Sequence, residues 1–223
     1  MAQLAFDVYG TLVDPASFAD ALAGRVPHAD ALAGAWRRHQ LEISWLLTAA
    51  GRYEPWPTVT GHALDAAMDE AGLPRLAADE RDAVLELAAL PRPYPDALPA
   101  LEALRDEGHA LAVLSNGTSA GLSRLLEHVG LASAFGAVVS VDEIDRYKPA
   151  PEVYAHCAAR LGRAPCEVWL VSGNPFDAAG AALAGLRVAK VERARTHRYG
   201  FAPAPDLVVT SLADLPAALR AAA

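Results

Sequence analysis

The chain has 223 residues, of which 53% are hydrophobic, and its formal net charge at pH 7 is −8. A chain of this length and composition can bury a sizeable hydrophobic core, which excludes the disordered classes of protein. The negative charge, without any basic stripe in the sequence, excludes nucleic acid as an expected partner, because phosphate binding needs clustered Lys and Arg.

The first 90 residues begin with a short apolar run and continue as helix. Residues 4–8 predict a buried strand that ends near Asp7 and turns at Gly10. Downstream, apolar residues recur at three- and four-residue intervals, interrupted by Pro and Gly. This pattern predicts four helices without an intervening strand, over residues 17–26, 28–51, 58–72 and 78–90.

After the proline-rich segment 91–97, predicted helices and strands alternate. The helices cover residues 96–108, 119–131, 150–162, 175–186 and 212–222. The strands cover residues 109–115, 136–140, 167–172, 187–192 and 206–210. Alternation of this kind predicts parallel βαβ units with right-handed crossovers.

The first strand must join the same sheet, because a single strand cannot stand alone. We therefore predict an α/β fold: a Rossmann-like, doubly wound parallel sheet core with a helical cap subdomain inserted after the first strand. The core would comprise residues 1–14 and 92–223, and the cap residues 15–91.

Polar side chains follow four of the predicted strands, at the edge where open parallel sheets bind their ligands. Singly, each has an ordinary explanation as a helix cap, a first-turn acid or a surface charge. Together at one edge they predict a site, because sequence-distant polar groups rarely converge without one. They are Asp7 with Thr11, Ser115 with Asn116, Lys148, and Ser172 with Asn174 and Asp177.

These residue types support nucleophilic chemistry by a carboxylate. Asp7 can form a covalent ester that is cleaved later. Lys148 can hold Asp7 ionised and attract an anion, and Asp177 can orient or deprotonate a water molecule. Negative oxygen or halide can bind to the polar groups nearby, which are Ser115, Asn116 and the backbone N–H groups near Gly10 and Gly117.

The four segments resemble the motifs of the haloacid dehalogenase superfamily: DVYGTLVD, LSNG, Lys148 in YKPAPEVY, and SGNPFD. Phosphatases of the superfamily carry a second Asp where this chain has Tyr9, and paired acids where this chain has a single Asp177. A phenol cannot replace a carboxylate that moves protons near neutral pH, and magnesium favours carboxylate ligands. The sequence therefore disfavours magnesium-dependent phosphoryl transfer.

With Tyr9, the motif set is similar to the L-2-haloacid dehalogenase branch, which uses no metal. Residues 35–46 (AWRRHQLEISWL) and 52–56 (RYEPW) resemble cap segments of that branch. The resemblance implies a halide site formed by Arg37, Asn116 and Trp56. It implies a substrate carboxylate site formed by Ser115, Lys148, Tyr154 and the backbone N–H groups of Val8 and Tyr9.

The reaction implied by the resemblance is hydrolysis of short (S)-2-haloalkanoic acids to (R)-2-hydroxy acids through an aspartyl ester, with no cofactor and no metal. Asp7 would attack C2 in line with the departing halide, and Thr11, Lys148 and Tyr154 would position the reacting groups. Water would then attack the ester. The residues that orient this water would be Asp177, Asn174 and Ser172.

Gly173 departs from the pattern, because familiar members have a second Ser there. Gly173 supports one alternative, a catalytically weak homologue that binds a small carboxylate or a protein partner. A second alternative on the same scaffold also stays open, a magnesium-dependent phosphatase or phosphonatase-like hydrolase. The resemblance also implies that the protein can form a homodimer. No apolar stretch could cross a bilayer and no signal peptide is evident, so we expect a cytoplasmic protein without a membrane partner.

Overall fold

The computed structural model describes residues 1–193 and 197–222. Within these residues, six strands form one parallel sheet in the order β3-β2-β1-β4-β5-β6. The strands are β1 (Gln3–Phe6), β2 (Ala110–Ser115), β3 (Ala137–Ser140), β4 (Val168–Ser172), β5 (Arg187–Val191) and β6 (Leu207–Val209).

Four helices lie between β1 and β2 in sequence before the alternating part of the chain begins: α1 (Ser17–Leu22), α2 (Ala29–Ala49), α3 (Trp56–Glu70) and α4 (Ala78–Ala88). The remaining helices connect or follow the strands: α5 (Ala97–Asp106), α6 (Ser119–His128), α7 (Pro151–Arg160), α8 (Pro175–Leu183) and α9 (Leu215–Ala221). The α/β core with an inserted helical cap is confirmed. The domain boundaries after residue 14 and before residue 92 stay a proposal.

The strand order reverses at β1, which lies between β2 and β4. Connections leave this point in both directions along the sheet, so a crevice opens beyond the carboxyl end of β1. Phe6 is in register with Val113 of β2 and with Val171 of β4. This register brings Asp7 level with the carboxyl-terminal residues of the two neighbouring strands.

The first strand is shorter than the predicted 4–8. The Asp7 amide still donates to the carbonyl oxygen of Val171 at 3.0 Å, which continues the pairing by one bond. The Val8 carbonyl instead accepts the amides of Thr11, Leu12 and Val13, so the chain turns sharply after Asp7. Asp7 is therefore the last residue held by the sheet and the first that faces the crevice.

Other predicted boundaries also differ, two of them in the cap. Helix α1 ends at Leu22 instead of residue 26, and Ala23 adopts an extended backbone conformation immediately afterwards. Helix α3 begins at Trp56, two residues earlier than predicted, with Pro57 in its first turn. Proline is well placed there, because its fixed φ suits a helix start and its missing N–H would have had no helical partner.

Buried side chains form a core on each face of the sheet and a third core in the cap. Leu4 and Phe6 belong to one sheet core and Ala5 to the other, as expected for a parallel sheet covered on both faces. The cap core includes Phe18 and Trp36. Among residues 1–193 and 197–222, we find no helix that is both long and apolar enough to cross a membrane.

Candidate active site

Asp7 lies at the centre of the crevice and is held by three donors. Its Oδ2 accepts hydrogen bonds from Thr11 Oγ1 at 2.7 Å and from Asn174 Nδ2 at 2.7 Å. Its Oδ1 accepts one bond from Lys148 Nζ at 3.1 Å. A carboxylate oxygen has two lone pairs, so Oδ2 is fully used while Oδ1 retains one lone pair.

Lys148 joins the two acids of the site. Its buried Nζ lies 3.1 Å from Asp7 Oδ1 and 2.9 Å from Asp177 Oδ2. Burial by itself lowers the pKa of Lys148, but the Asp177 and Asp7 carboxylates outweigh burial and raise that pKa above its ordinary value. The ammonium ion therefore stays charged and keeps both carboxylates oriented.

Asp177 is fully buried at the first turn of α8. Tyr154 donates to its Oδ1 at 2.9 Å and contacts its backbone carbonyl at 3.2 Å. Burial raises the pKa of Asp177, and the Asp7 charge adds to this effect, while Lys148 and a Ser172 hydrogen bond oppose it. The raised pKa makes Asp177 a stronger base than a solvent-exposed aspartate.

The turn that follows β4, residues 172–174, ties these groups together. The Gly173 amide donates to Thr11 Oγ1 at 2.8 Å, and the Asn174 amide donates to Ser172 Oγ at 3.1 Å. A Cβ at Gly173 would lie 2.0 Å from the Gly10 carbonyl oxygen. Two backbone segments thus meet at Gly173, so a glycine is required by packing there.

Several hydrogen-bond donors at this edge of the sheet are unpaired among the described residues. In the part of the chain that the structure describes, the backbone N–H groups of Val8 and Tyr9 donate no hydrogen bond. Asn116 uses its Oδ1 to accept the Lys148 amide at 3.1 Å, which leaves its Nδ2 as a donor. Ser115 Oγ accepts the Gly117 amide at 3.2 Å and can still donate its own proton. Such a cluster of donors suits an anion.

The cap contributes Arg37 and Trp56 above this cluster. The Arg37 guanidinium carbon lies 5.9 Å from the centre of the Trp56 ring, which is a cation–π distance. Burial lowers the pKa of Arg37, and Asp7 and Tyr9 oppose that shift, so Arg37 lies within electrostatic reach of both. Burial raises the pKa of Tyr9 to about 12, so its phenol stays neutral.

A cavity of about 480 Å³ opens between the cap and the core beside these groups. Its rim carries an ion pair between Glu86 of the cap and Arg124 of the core at 2.5 Å. The other lining residues are largely apolar towards the cap and small towards the core: Tyr9, Phe18, Gln40, Trp56, Pro57, Thr60, Asp82, Leu85, Ala88, Ala89, Gly117, Thr118 and Gly121.

The residues present do not fit a magnesium site of the phosphatase kind. The Tyr9 backbone carbonyl accepts a hydrogen bond from Asn174 Nδ2 at 2.8 Å. The Tyr9 side chain is a neutral phenol, and Lys148 occupies the space between the two carboxylates. Magnesium prefers several carboxylate oxygens, and the phenol of Tyr9 stands where a phosphatase has its second acid, so the site offers one carboxylate fewer.

The predicted residues at the strand ends thus come together around Asp7, whereas Tyr154 lies against Asp177 through both of its hydrogen bonds. Gln40 was not among the predicted site residues. It is fully buried, accepts from Arg37 at 3.1 Å and donates to Thr60 Oγ1 at 2.8 Å, so it fixes the guanidinium. Its spacing of three residues from Arg37 on one helix was the available signal.

The sequence matches the haloacid dehalogenase-like hydrolase family over residues 1–185. The (S)-2-haloacid dehalogenase 1 of Pseudomonas sp. (strain CBS-3) is 39% identical over 216 residues, which cover 95% of this chain and 93% of that protein. The (S)-2-haloacid dehalogenase of Xanthobacter autotrophicus is 37% identical, covering 96% and 93% of the two chains. The structure of L-2-haloacid dehalogenase from Xanthobacter autotrophicus with chloropropionic acid covalently bound has a TM-score of 0.92 at 34% identity and covers 100% of both chains.

Proposed function

The chain belongs to the haloacid dehalogenase-like hydrolases, and from this membership we propose that it converts short (S)-2-haloalkanoic acids into (R)-2-hydroxy acids. It is a hydrolase of carbon–halide bonds that acts through an aspartyl ester. A relative with chloropropionic acid covalently bound supports an ester intermediate. The observation that carries the assignment is the arrangement of Asp7, whose Oδ1 keeps one lone pair while Oδ2 is held by two donors.

In the first step, Asp7 Oδ1 attacks C2 of the substrate from the side opposite the halogen. The new C–O bond forms as the carbon–halogen bond breaks, the bonding pair leaves with the halide, and C2 inverts. Halide is a stable anion and needs no proton donor. Neutral Tyr9 is therefore compatible with this step, although it could not serve a leaving group that must be protonated.

The substrate carboxylate is proposed to lie against Ser115, Lys148 and the backbone N–H groups of Val8 and Tyr9. Departing halide is proposed to be stabilised by Arg37, Trp56 and the Asn116 side-chain amide. A guanidinium, an aromatic edge and an amide N–H suit a large and weakly hydrated anion. The family resemblance implied that Tyr154 contacts the substrate carboxylate. Because its hydroxyl donates to Asp177, we propose instead that Tyr154 is a positioning residue that orients Asp177.

In the second step, water attacks the Asp7 carboxyl carbon and transfers a proton to Asp177, with Ser172 orienting that base. Negative charge develops on Asp7 Oδ2, which accepts hydrogen bonds from the Thr11 hydroxyl and from the Asn174 side-chain amide, each at 2.7 Å. These two donors form an oxyanion hole. The intermediate then collapses, the bond between the Asp7 carboxyl carbon and Oδ1 breaks, and the proton on Asp177 passes to Oδ1, which leaves as the product hydroxyl. The second proton of the water stays on the Asp7 carboxyl group and is released to solvent, which restores the carboxylate.

Two measurements test this function together. We expect halide release from (S)-2-chloropropionate but not from the R form, with equal rates in the presence and absence of a metal chelator. Asp7→Asn should abolish release, because an amide is a far weaker nucleophile than a carboxylate. Turnover by Asp7→Asn would contradict the assignment of the nucleophile, and loss of activity with chelator would favour the magnesium-dependent alternative.

The catalytically weak homologue had Gly173 as its main support. In the structure, the Gly173 amide donates to Thr11 and its Cα packs against Gly10, so the missing hydroxyl leaves no gap. We therefore propose an active enzyme. Full rates of halide release in the assay above would exclude the weak homologue.

We also propose a cytoplasmic location and a homodimer. The homodimer is proposed from the family resemblance and from exposed apolar side chains beside a groove of about 600 Å³, among them Leu183 and Phe201 at 59% and 74% exposure. Sedimentation velocity of the purified protein tests the dimer, and fractionation of cells that make the protein tests the location.

A further inference from the structure

Lys190 is a buried lysine that the proposed mechanism does not use. It lies in β5, where it is in register with Ser172 of β4. Apart from Lys190, the strand interior from Val188 to Val191 is apolar and buried. Buried lysines are rare unless they have a partner, so this position calls for a specific role.

The Lys190 ammonium reaches the turn that follows β4. Its Nζ donates to the Gly173 carbonyl at 2.9 Å and makes a weaker contact with the Val191 carbonyl at 3.4 Å. Burial lowers the pKa of Lys190, and the Glu192 carboxylate opposes that shift. A hydrogen bond from a charged donor is stronger than one between neutral groups, which suits a group that must fix a backbone carbonyl.

The carbonyl that Lys190 holds belongs to the peptide group between Gly173 and Asn174. The N–H of this same peptide donates to Ser172 Oγ at 3.1 Å, and Ser172 in turn bonds to Asp177. Rotation of the peptide would break both bonds at once. Glycine permits such rotation more readily than other residues, so the peptide needs a restraint.

The same turn also holds the nucleophile. The Gly173 amide donates to Thr11 Oγ1 at 2.8 Å, and Thr11 donates to Asp7 Oδ2 at 2.7 Å. The Asn174 side chain donates to that oxygen as well. Both reacting acids, Asp7 and Asp177, are therefore oriented through the residues 172–174.

We propose that Lys190 is a positioning residue for the active site, whose ammonium group fixes the 172–174 turn and thereby orients Asp7 and Asp177. The bond that carries this proposal runs from Lys190 Nζ to the Gly173 carbonyl, so the effect on both acids passes through the turn. The inference rests on the proposed function, because it assigns Lys190 to the same two-step reaction.

The test replaces Lys190 by Met, which has a similar length and no donor. We expect kcat for halide release to fall about 10- to 100-fold, the range for loss of a hydrogen bond to a charged group, while KM changes less than about 3-fold because the carboxylate donors remain. Lys190→Arg should recover most of kcat, since it restores a charged donor. Lys190→Leu, which also has no donor, replaces the Met variant if that variant does not fold.

Arg187→Met is the matched control. Arg187 lies on the same strand, stacks on Trp169 at 3.8 Å and faces Asp206, away from the turn. We expect its kcat to stay within about 2-fold of the wild type. In combination with Thr11→Val, Lys190→Met should cost less than the product of the two separate effects, because both act on one chain of bonds.

A second readout does not need activity. The Gly173 amide should exchange its hydrogen at least about 10-fold faster in Lys190→Met than in the wild type, as measured by NMR without substrate. Unchanged exchange together with kcat within 2-fold would overturn the proposal. A wild type that releases no halide would instead contradict the proposed function, and the exchange measurement would still decide the role of Lys190.

Discussion

Gly173→Ala is expected to lower activity sharply, although it adds only one methyl group. The new Cβ would lie 2.0 Å from the Gly10 carbonyl oxygen, whereas real Cβ atoms stay beyond 3.0 Å from such neighbours. The two backbone segments must therefore separate by about 1 Å, and a displacement of that size at a reacting group costs about 100-fold in rate. Gly10 cannot relax freely, because its φ of +83° already requires glycine.

The separation would stretch the hydrogen bond from the Gly173 amide to Thr11 and those from Asn174 to Asp7 and Tyr9. We expect kcat to fall about 100-fold in steady-state halide release. Overpacking should cost about 1–3 kcal/mol of stability, which lowers Tm by roughly 2–12 °C in a protein of this size. Gly173→Ser should behave in the same way.

Gly34→Ala is the matched control for this prediction. Gly34 lies inside α2, and a Cβ there would meet no atom within 4 Å. Alanine is favoured over glycine in a helix by about 1 kcal/mol, so Tm should stay or rise and kcat should not change. Wild-type kcat and Tm in Gly173→Ala, or faster turnover in Gly173→Ser, would refute the packing argument.

The other predictions concern charge at the site. Burial raises the pKa of Asp177, and this residue must be ionised to act as the base. As the pH decreases, kcat should therefore fall with an apparent pKa above the ordinary 3.8 of aspartate. An acid limb of the pH–rate profile at or below 3.8 would contradict this. Because the pKa of Lys148 is raised above 10.5, no alkaline limb should appear below that pH. Asn174→Asp places a second carboxylate against Asp7 in place of a donor, so kcat should fall at least about 1,000-fold. Asp214→Asn, at an exposed position, is the control and should leave kcat unchanged. A smaller loss of kcat in Asn174→Asp would argue against the oxyanion hole. Arg37→Lys keeps the charge but loses the stacking on Trp56 and the bond to Gln40, so kcat/KM should fall about 10-fold; unchanged values for chloro- and bromopropionate would remove Arg37 from the halide site.

Much of this architecture could be predicted from the sequence, because the spacing of apolar residues and the positions of Pro and Gly define each helix and strand locally. The polar residues after four strands could be placed at one edge, because parallel strands present their carboxyl ends to the same side. Asp7, Lys148 and Asp177 were predicted to meet for this reason, and the Lys148 ammonium lies 3.1 Å from Asp7 and 2.9 Å from Asp177.

Other features could not be predicted, because they depend on the approach of distant segments. Gly173 suggested a lost hydroxyl, while the structure brings the Gly10 carbonyl into the space where a side chain would be. The direction of the Tyr154 hydroxyl depends on how closely α7 and α8 pack; a Cβ at Gly180 would lie 2.6 Å from that hydroxyl. Lys190 could have been noticed as a charge inside a buried strand, but its partner could not.

The central claim is that Asp7 forms an ester whose carboxyl carbon, and not C2 of the substrate, is attacked by water. A single turnover of excess enzyme with (S)-2-chloropropionate in ¹⁸O-labelled water tests it directly. We predict that the label enters the Asp7 carboxylate, detected by mass spectrometry of the peptide that contains it, and that the lactate formed is unlabelled. Label in the lactate with none in Asp7 would contradict the ester mechanism.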